Sequence, residues 1–194
     1  VKFLAAISIA TSVITMIFWS FGFLRMGTVS LVAQQLAKKN YNEIILVFVR
    51  NIILALFIGI TIIFFKEPIL NLIEYFFKTT EETQNLINKY ISVRILSAPA
   101  ELIIYVLAGL YLGLQRTYIS SLMISIFCIG NAALSYVFVI HFNLEIFGVA
   151  AGTLIAAYLT VIIFLTFSYF QFKKKLKISL TYKKIFNIKK LFNL

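Results

Sequence analysis

Long apolar runs separated by short polar segments predict five membrane-spanning helices. A helix rises about 1.5 Å per residue, so roughly 20 apolar residues cross a hydrocarbon layer about 30 Å thick. The predicted spans are 3–37, 44–65, 90–114, 118–142 and 147–172. The pattern therefore predicts an all-α, polytopic membrane helix bundle over residues 1–172.

The polar segments between the runs predict where each helix ends. The first span is expected to continue as one helix to about Ala37, because no Pro or paired Gly interrupts it. The second span is expected to end at Lys66-Glu67-Pro68. The mixed segment 69–89 is predicted to be a short interfacial piece outside the bilayer. The basic segment 173–194 is expected to be a cytoplasmic linker or an amphipathic helix on the anionic leaflet.

Composition supports a membrane protein and changes how the charge is interpreted. Hydrophobic residues make up 61% of the chain and charged residues 13%, and the mean hydropathy is +0.97. A soluble core of this size cannot bury so much apolar surface, so the lipid bilayer is the expected surrounding. The net charge of +11 would suit nucleic acid, but eight of the 18 basic residues fall among the last 22. That placement is typical of membrane topology, and no nucleic-acid partner is expected.

The loop charges predict the orientation. Lys38, Lys39, Arg116 and the basic tail share one side of the spans, and most of the glutamates lie on the other. An excess of Lys and Arg marks the cytoplasmic side. We therefore expect a multi-pass protein of the inner or plasma membrane with its C-terminus in the cytoplasm. The N-terminus then lies outside, which is simplest to explain if a preceding helix is missing.

Redox, metal and enzyme chemistry have little support in the sequence. The chain has one cysteine, Cys128, and one histidine, His141. A lone cysteine forms no internal disulfide, and we expect Cys128 to be a small core residue. No second ligand lies at helical spacing from the histidine, so no metal site is predicted. No cluster of His, Cys or paired carboxylates reaches catalytic spacing, and an enzyme is not expected.

Two polar residues lie halfway along the fourth predicted span. Asn131 and Ser135 are one helical turn apart and therefore share a face near the bilayer midplane. Polar side chains at that depth usually face protein or a water-filled cavity, because lipid offers them no partner. The pair thus indicates the wall of a polar site, and interhelical hydrogen bonding in a packed bundle is the alternative.

Glu101 is the only acid well inside a predicted span, and it follows Arg94 by two helical turns. An intramembrane carboxylate is a candidate for a substrate or proton site if it faces a cavity. The alternative is a neutral carboxyl, or one that shares polar contacts with Arg94 near the outer interface. Separately, Gly109 and Gly113 form a G-x-x-x-G pair that favours close helix packing.

Five motifs occur in an order and spacing that resemble a known family. They are 23–28 (FLRMGT) followed by Ala33-Gln34, 94–100 (RILSAPA), 109–117 (GLYLGLQRT), Asn131, and 148–156 (GVAAGTLIA). In this order the chain is similar to the multidrug and toxic compound extrusion (MATE) transporters, in the branch related to DNA-damage-inducible protein F. The similarity extends over about residues 3–172.

The resemblance implies a lobe of six helices paired with a second such lobe. Such transporters export small organic cations or amphiphiles in exchange for protons or sodium, so this chain would be part of a multidrug efflux antiporter. It would supply helices two to six of the first lobe, and we expect it to be inactive alone. A second transporter lobe or a homodimer would complete it. A flippase of the same superfamily and a non-transporting remnant or scaffold are the alternatives.

The resemblance also implies which residues form the cation site. The family's Asn on helix five matches Asn131, and the Asp one turn later is replaced by Ser135. A Thr on helix six corresponds to Thr153, and the polar position on helix four falls at Ile104 or Tyr105. Neutral oxygens can hold sodium but cannot exchange a proton near neutral pH. The expected candidates for substrate or cation binding are Asn131, Ser135, Thr153, Glu101 and Tyr105, with no cofactor beyond the coupling ion.

Overall fold

A bundle of eight α-helices makes up the computed structural model, which describes residues 2–77 and 80–173. The helices are α1 (Lys2–Ser20), α2 (Phe23–Ala37), α3 (Tyr41–Phe64), α4 (Lys66–Phe76), α5 (Glu81–Arg94), α6 (Ala98–Gly113), α7 (Thr117–Ile140) and α8 (Glu145–Lys173). A 3₁₀ turn, Ile95–Ser97, joins α5 to α6. The described residues contain no strand, which confirms the all-α class.

Five helical stretches are long and apolar enough to cross a membrane, as predicted. They are Phe3–Ala37, Tyr41–Phe64, Glu81–Gly113, Thr117–Ile140 and Glu145–Lys173. Their number and order confirm a polytopic membrane bundle. Of the predicted basic tail at 173–194, only Lys173 falls in the described part of the chain, and the rest lies outside it.

The segment 69–89 differs from the prediction. Its first part forms the short helix α4, with Leu70 and Ile73 buried. Its second part, from Glu81, is already the start of α5 and belongs to the third span. The sequence signal was misleading because α5 is polar overall, yet Ile87 and Ile91 on its inner face are fully buried. Packing against neighbouring helices determines its place, and mean polarity does not.

The first span is not one uninterrupted helix. It breaks at Phe21-Gly22, where both backbone amides donate to carbonyls three residues earlier, at Phe18 and Trp19. Such bonds tighten a helix into a 3₁₀-like turn. The expectation of a continuous helix to Ala37 is therefore wrong at this point, although Phe3–Ala37 still forms one span.

Glycines set the close approach of α6 to α2. A Cβ atom on Gly109 would lie 2.7 Å from both the Arg25 carbonyl oxygen and Thr28 Cβ, and one on Gly113 would lie 2.8 Å from Val32 Cβ. Real Cβ atoms do not come this near, so only glycine fits at these two positions. The G-x-x-x-G pair thus packs two helices together, which confirms the sequence prediction. Between these glycines, Leu110 is fully buried.

Helix α7 lies at the edge of the bundle and packs mainly on α8. Its buried residues are Ile119, Ser120 and Met123, all near one end. Cys128 is exposed on α7, so the expectation of a core cysteine is wrong. Apolar residues occur on every side of this helix, so apolarity alone does not show which side faces protein and which faces lipid.

Candidate functional site

A polar cluster joins the C-terminal half of α7 to the N-terminal third of α8. The Asn131 side-chain oxygen Oδ1 accepts hydrogen bonds from Ser135 Oγ at 3.1 Å and from Thr153 Oγ1 at 2.9 Å. Asn131 and Ser135 are half-buried, and Thr153 is buried. The structure therefore brings together the three candidates that the sequence placed on two different helices.

The backbone carbonyl of Val149 is a further member of this cluster. It lies 3.0 Å from Thr153 Oγ1 and 3.4 Å from Ser135 Oγ. Each hydroxyl has one proton, so it can donate to Asn131 or to Val149 but not fully to both. The two hydroxyl protons of the cluster are thus shared between two acceptors, the side-chain oxygen of Asn131 and the backbone carbonyl of Val149.

Small residues allow α8 to reach the cluster. A Cβ atom on Gly152 would lie 2.5 Å from Ser135 Oγ and 2.7 Å from the Ser135 backbone nitrogen. One turn earlier, a Cβ on Gly148 would lie 3.1 Å from Phe138 Cβ. Without side chains at these positions, the backbone of α8 lies against the polar face of α7. The motif at 148–156 therefore positions the cluster by packing.

Glu101 belongs to a separate ion pair. Its carboxylate oxygen Oε1 contacts the Arg94 guanidinium, and both side chains are largely buried, with exposed fractions of 13% and 12%. Ser97 lies between them in the 3₁₀ turn: its hydroxyl contacts Arg94, and its Oγ is 3.1 Å from Glu101 Oε1. The Arg94 guanidinium also lies 5.4 Å from the centre of the Phe18 ring on α1. The carboxylate thus has two polar partners already.

Tyr105 lies one turn beyond Glu101 on α6 and is half-buried. Its hydroxyl makes no hydrogen bond to any residue that the structure describes, and Ile104 beside it is buried. The Asn131 cluster and the Arg94–Glu101 pair also share no hydrogen bond within the described residues. The five sequence candidates therefore divide into one connected cluster of three residues, one glutamate held in an ion pair with Arg94, and one isolated tyrosine.

Two contributors to these sites were not singled out from the sequence. Ser97 was only part of a quoted motif, although its position three residues after Arg94 and four before Glu101 could have revealed it. The Val149 carbonyl carries no side-chain signal at all. Backbone oxygens become ligands through helix packing, which a sequence pattern does not show.

The cluster can offer neutral oxygen ligands but no carboxylate. Among the residues that the structure describes, no group of three or more His, Cys, Asp or Glu side chains could hold a metal ion. Amide, hydroxyl and carbonyl oxygens are hard ligands that suit a hard cation of low charge. The arrangement can therefore coordinate a cation without titrating near neutral pH.

Known proteins that resemble this chain are membrane transporters. A family model described as MatE matches residues 1–137. DNA damage-inducible protein F of Escherichia coli (strain K12) is 29% identical over 161 residues, which cover 83% of this chain and 35% of that protein. A crystal structure of MATE in complex with MaL6 has a TM-score of 0.82 at 22% identity. The match covers 95% of this chain and 40% of that chain.

A second solved structure shows the same fold. The inward-facing conformation of a multidrug resistance MATE family transporter of the MOP superfamily has a TM-score of 0.79 at 22% identity. The match covers 86% of this chain and 38% of that chain. The chain thus spans little more than a third of the length of the relatives that it matches.

Proposed function

The chain belongs to the MatE family, and we propose on this premise that it forms a cation-binding lobe of a multidrug efflux transporter. Its cargo would be small organic cations or amphiphiles, exchanged for a coupling cation. The observation that supports this most directly is the cluster of Asn131, Ser135 and Thr153 inside the fourth and fifth spans, in which oxygens of two helices converge. Polar groups at this depth are costly in lipid and commonly mark ion pathways in membrane proteins.

We propose sodium as the coupling ion for this lobe. A proton-coupled site needs a group that gains and loses a proton in the working pH range, and amide and hydroxyl groups do not. Glu101 is the only carboxylate deep in a span, and Arg94 and Ser97 hold it. Its release from Arg94 would leave a charge buried without a partner, which is strongly unfavourable.

Transport by this lobe is proposed to need a second lobe. Alternating access in secondary transporters works by the movement of two repeats against each other around a midplane site. The chain covers 35% of its Escherichia coli relative and 38% of a solved transporter. A second lobe, or a second copy of this chain, would supply the opposing surface.

The proposed orientation places the C-terminal end of α8 in the cytoplasm. Lys38, Lys39 and Arg116 lie in the turns at that end of the spans, between α2 and α3 and between α6 and α7. Glu67 and Glu145 lie in the first turns of helices that begin at the other end. This asymmetry follows the preference of basic loops for the cytoplasmic side.

Sodium binding by residues 1–194 tests the site directly. Purified chain is unfolded by heat in increasing sodium chloride, with choline chloride holding the ionic strength constant. A ligand that binds the folded state raises the midpoint temperature, so the wild-type midpoint should rise with sodium. Asn131→Ala should abolish the rise.

Asn51→Ala is the matched control, because Asn51 bonds only to Thr28 in the described residues and lies on α3. It should lower stability and keep the sodium response. A wild-type midpoint that does not move with sodium, or an equal response in Asn131→Ala, would contradict the proposed cation site.

A further inference from the structure

A cavity opens at the basic end of the bundle, far along α7 and α8 from the Asn131 cluster. It has a volume of about 140 Å³ and is lined by Leu36, Tyr41, Leu114, Arg116, Gln171 and Phe172. One water molecule in the liquid takes up about 30 Å³, so the cavity can hold a polyatomic group. We propose that it binds the headgroup of an anionic phospholipid, with phosphatidylglycerol as the ligand that fits best.

The helix ends place this cavity at the level of lipid headgroups. Helices α2 and α6 end here at Ala37 and Gly113, and α3 and α7 begin here at Tyr41 and Thr117. The last described residue of α8, Lys173, also lies at this end. These are also the ends of the five membrane spans. A lipid in the adjoining leaflet would therefore present its phosphate at this depth, with its acyl chains along the apolar helices.

Arg116 supplies the charge that attracts a phosphate. It is half-buried at the start of α7, and it forms no ion pair with an acid in the described part of the chain. Three glutamates that do form ion pairs are held elsewhere: Glu43 by Arg50, Glu67 by Lys66 and Glu101 by Arg94. A guanidinium offers several N–H donors in a plane and binds phosphate oxygens well.

Exposed lysines lie close in the chain to residues that line the same cavity. Lys38 and Lys39 follow the lining residue Leu36 at the end of α2, and Lys173 follows the lining residue Phe172. Basic groups between helices on the cytoplasmic side attract anionic headgroups. Because this attraction needs a net negative charge on the lipid, it favours phosphatidylglycerol over the zwitterionic phosphatidylethanolamine.

Gln171 indicates that the ligand also carries a hydroxyl group, in addition to the phosphate. Its side-chain oxygen Oε1 is buried and has no hydrogen-bond partner among the described residues. A buried acceptor without a donor is unfavourable, and a ligand hydroxyl would satisfy it. Phosphatidylglycerol carries both a phosphate for Arg116 and hydroxyls for Gln171, whereas phosphatidic acid has the phosphate without the glycerol headgroup. Leu36, Leu114 and Phe172 provide apolar walls for the lipid backbone.

Native mass spectrometry of the delipidated chain, residues 1–194, measures its affinity for each phospholipid. Phosphatidylglycerol and phosphatidylethanolamine with the same acyl chains are titrated separately. The wild-type chain should retain more phosphatidylglycerol than phosphatidylethanolamine. Arg116→Gln should weaken phosphatidylglycerol binding about tenfold, the usual effect of losing a charge-assisted hydrogen bond. Lys66→Gln makes the same charge change at the opposite end of the spans, and it should leave binding unchanged.

Gln171→Leu tests the headgroup hydroxyl separately. Wild type should prefer phosphatidylglycerol over phosphatidic acid, and this variant should lose that preference while it still binds both lipids. The readout remains valid if Arg116→Gln does not fold. Equal retention of phosphatidylglycerol and phosphatidylethanolamine by wild type, or unchanged phosphatidylglycerol binding in both variants, would overturn the proposal.

A soluble competitor distinguishes a lipid from a free phosphate compound. Glycerol phosphate has the same polar groups as the headgroup but no acyl chains. It should not displace phosphatidylglycerol at equal concentration, because the apolar walls contribute to binding. Displacement by glycerol phosphate would show that the cavity takes a soluble anion, and it would overturn the assignment to lipid. Neither result bears on sodium binding at Asn131.

Discussion

At the scale of single residues, the polar and charged side chains inside the spans fall into two groups. The side-chain oxygen of Asn131 accepts hydrogen bonds from hydroxyl groups on two helices. Ser135 stands at the position where the resemblance to the family implies an acid. Arg94 and Glu101 are charged, but their charges compensate each other within the protein. The uncharged cluster is therefore the better candidate for a mobile cation, and the charged pair is the better candidate for a fixed structural contact.

The Thr153 hydroxyl should contribute to cation affinity. Thr153→Val removes one oxygen from the cluster with little change in shape, and the sodium affinity should fall by roughly three- to tenfold, as expected for one lost polar contact. The sodium dependence of the thermal midpoint measures the effect. Thr160→Val is the control, because among the described residues the Thr160 hydroxyl bonds only to the Ala156 carbonyl of its own helix. Equal loss in both variants would argue against a ligand role for Thr153.

Breaking the Arg94–Glu101 pair should destabilise the fold. Glu101→Leu leaves the largely buried Arg94 without its counter-charge, which should cost about 3–5 kcal/mol, and Arg94→Leu should act similarly. The double variant should recover much of the loss, because it leaves no unpaired charge. Free energies of unfolding in detergent provide the measurement. Additive losses in the double variant would show that the two residues act independently.

At the scale of helices, glycine residues allow neighbouring helices to pack closely where they cross. The α2 and α6 helices meet at Gly109 and Gly113, and α7 meets α8 at Gly152. In lipid, helices gain no hydrophobic energy from association, so close van der Waals packing carries much of the interaction. A small increase in side-chain size at a crossing therefore has a direct effect on the arrangement of the helices.

Gly109→Ala should destabilise the bundle. The new methyl group would lie 2.7 Å from the Arg25 carbonyl oxygen, so α2 must shift, at a cost of about 1–3 kcal/mol. Gly27→Ala on α2 is the matched control, because nothing lies within 4 Å of its new methyl group. Thermal unfolding in detergent should show a lower midpoint for the first variant only. Similar midpoints for both would mean that α2 is not constrained at this crossing.

At the scale of the whole molecule, the described helices form one lobe with an exposed edge helix. Only a few residues of α7 are buried, all near its Thr117 end, while the polar cluster lies further along the same helix. Half-burial of Asn131 and Ser135 leaves the cluster accessible from outside the lobe. A site open at one edge suits a transporter in which an opposing surface completes and closes it.

Expression of residues 1–194 alone should not support export. In an efflux-deficient host, the accumulation of a fluorescent organic cation should match that of a vector control, with membrane expression confirmed. The reason is that a single lobe lacks the second surface that alternating access requires. Lower accumulation that depends on Asn131 would instead show that this chain transports by itself, with a homodimer as the simplest assembly.

The hydrophobic pattern alone determined the class, the number and order of the five spans, and the shared face of Asn131 and Ser135. These features depend on each residue's own transfer into lipid and on helical periodicity, which are local properties. The G-x-x-x-G crossing was also predictable, because close packing needs small residues at that spacing.

Only the tertiary structure decided the features that depend on how helices rotate and cross. It ended α1 at Ser20, began α5 at Glu81 and exposed Cys128. It also brought the Val149 carbonyl to the cluster and assembled the cavity around Arg116 and Gln171. Such contacts join residues far apart in the chain, so their geometry is set by the packing of the whole bundle and not by any local pattern.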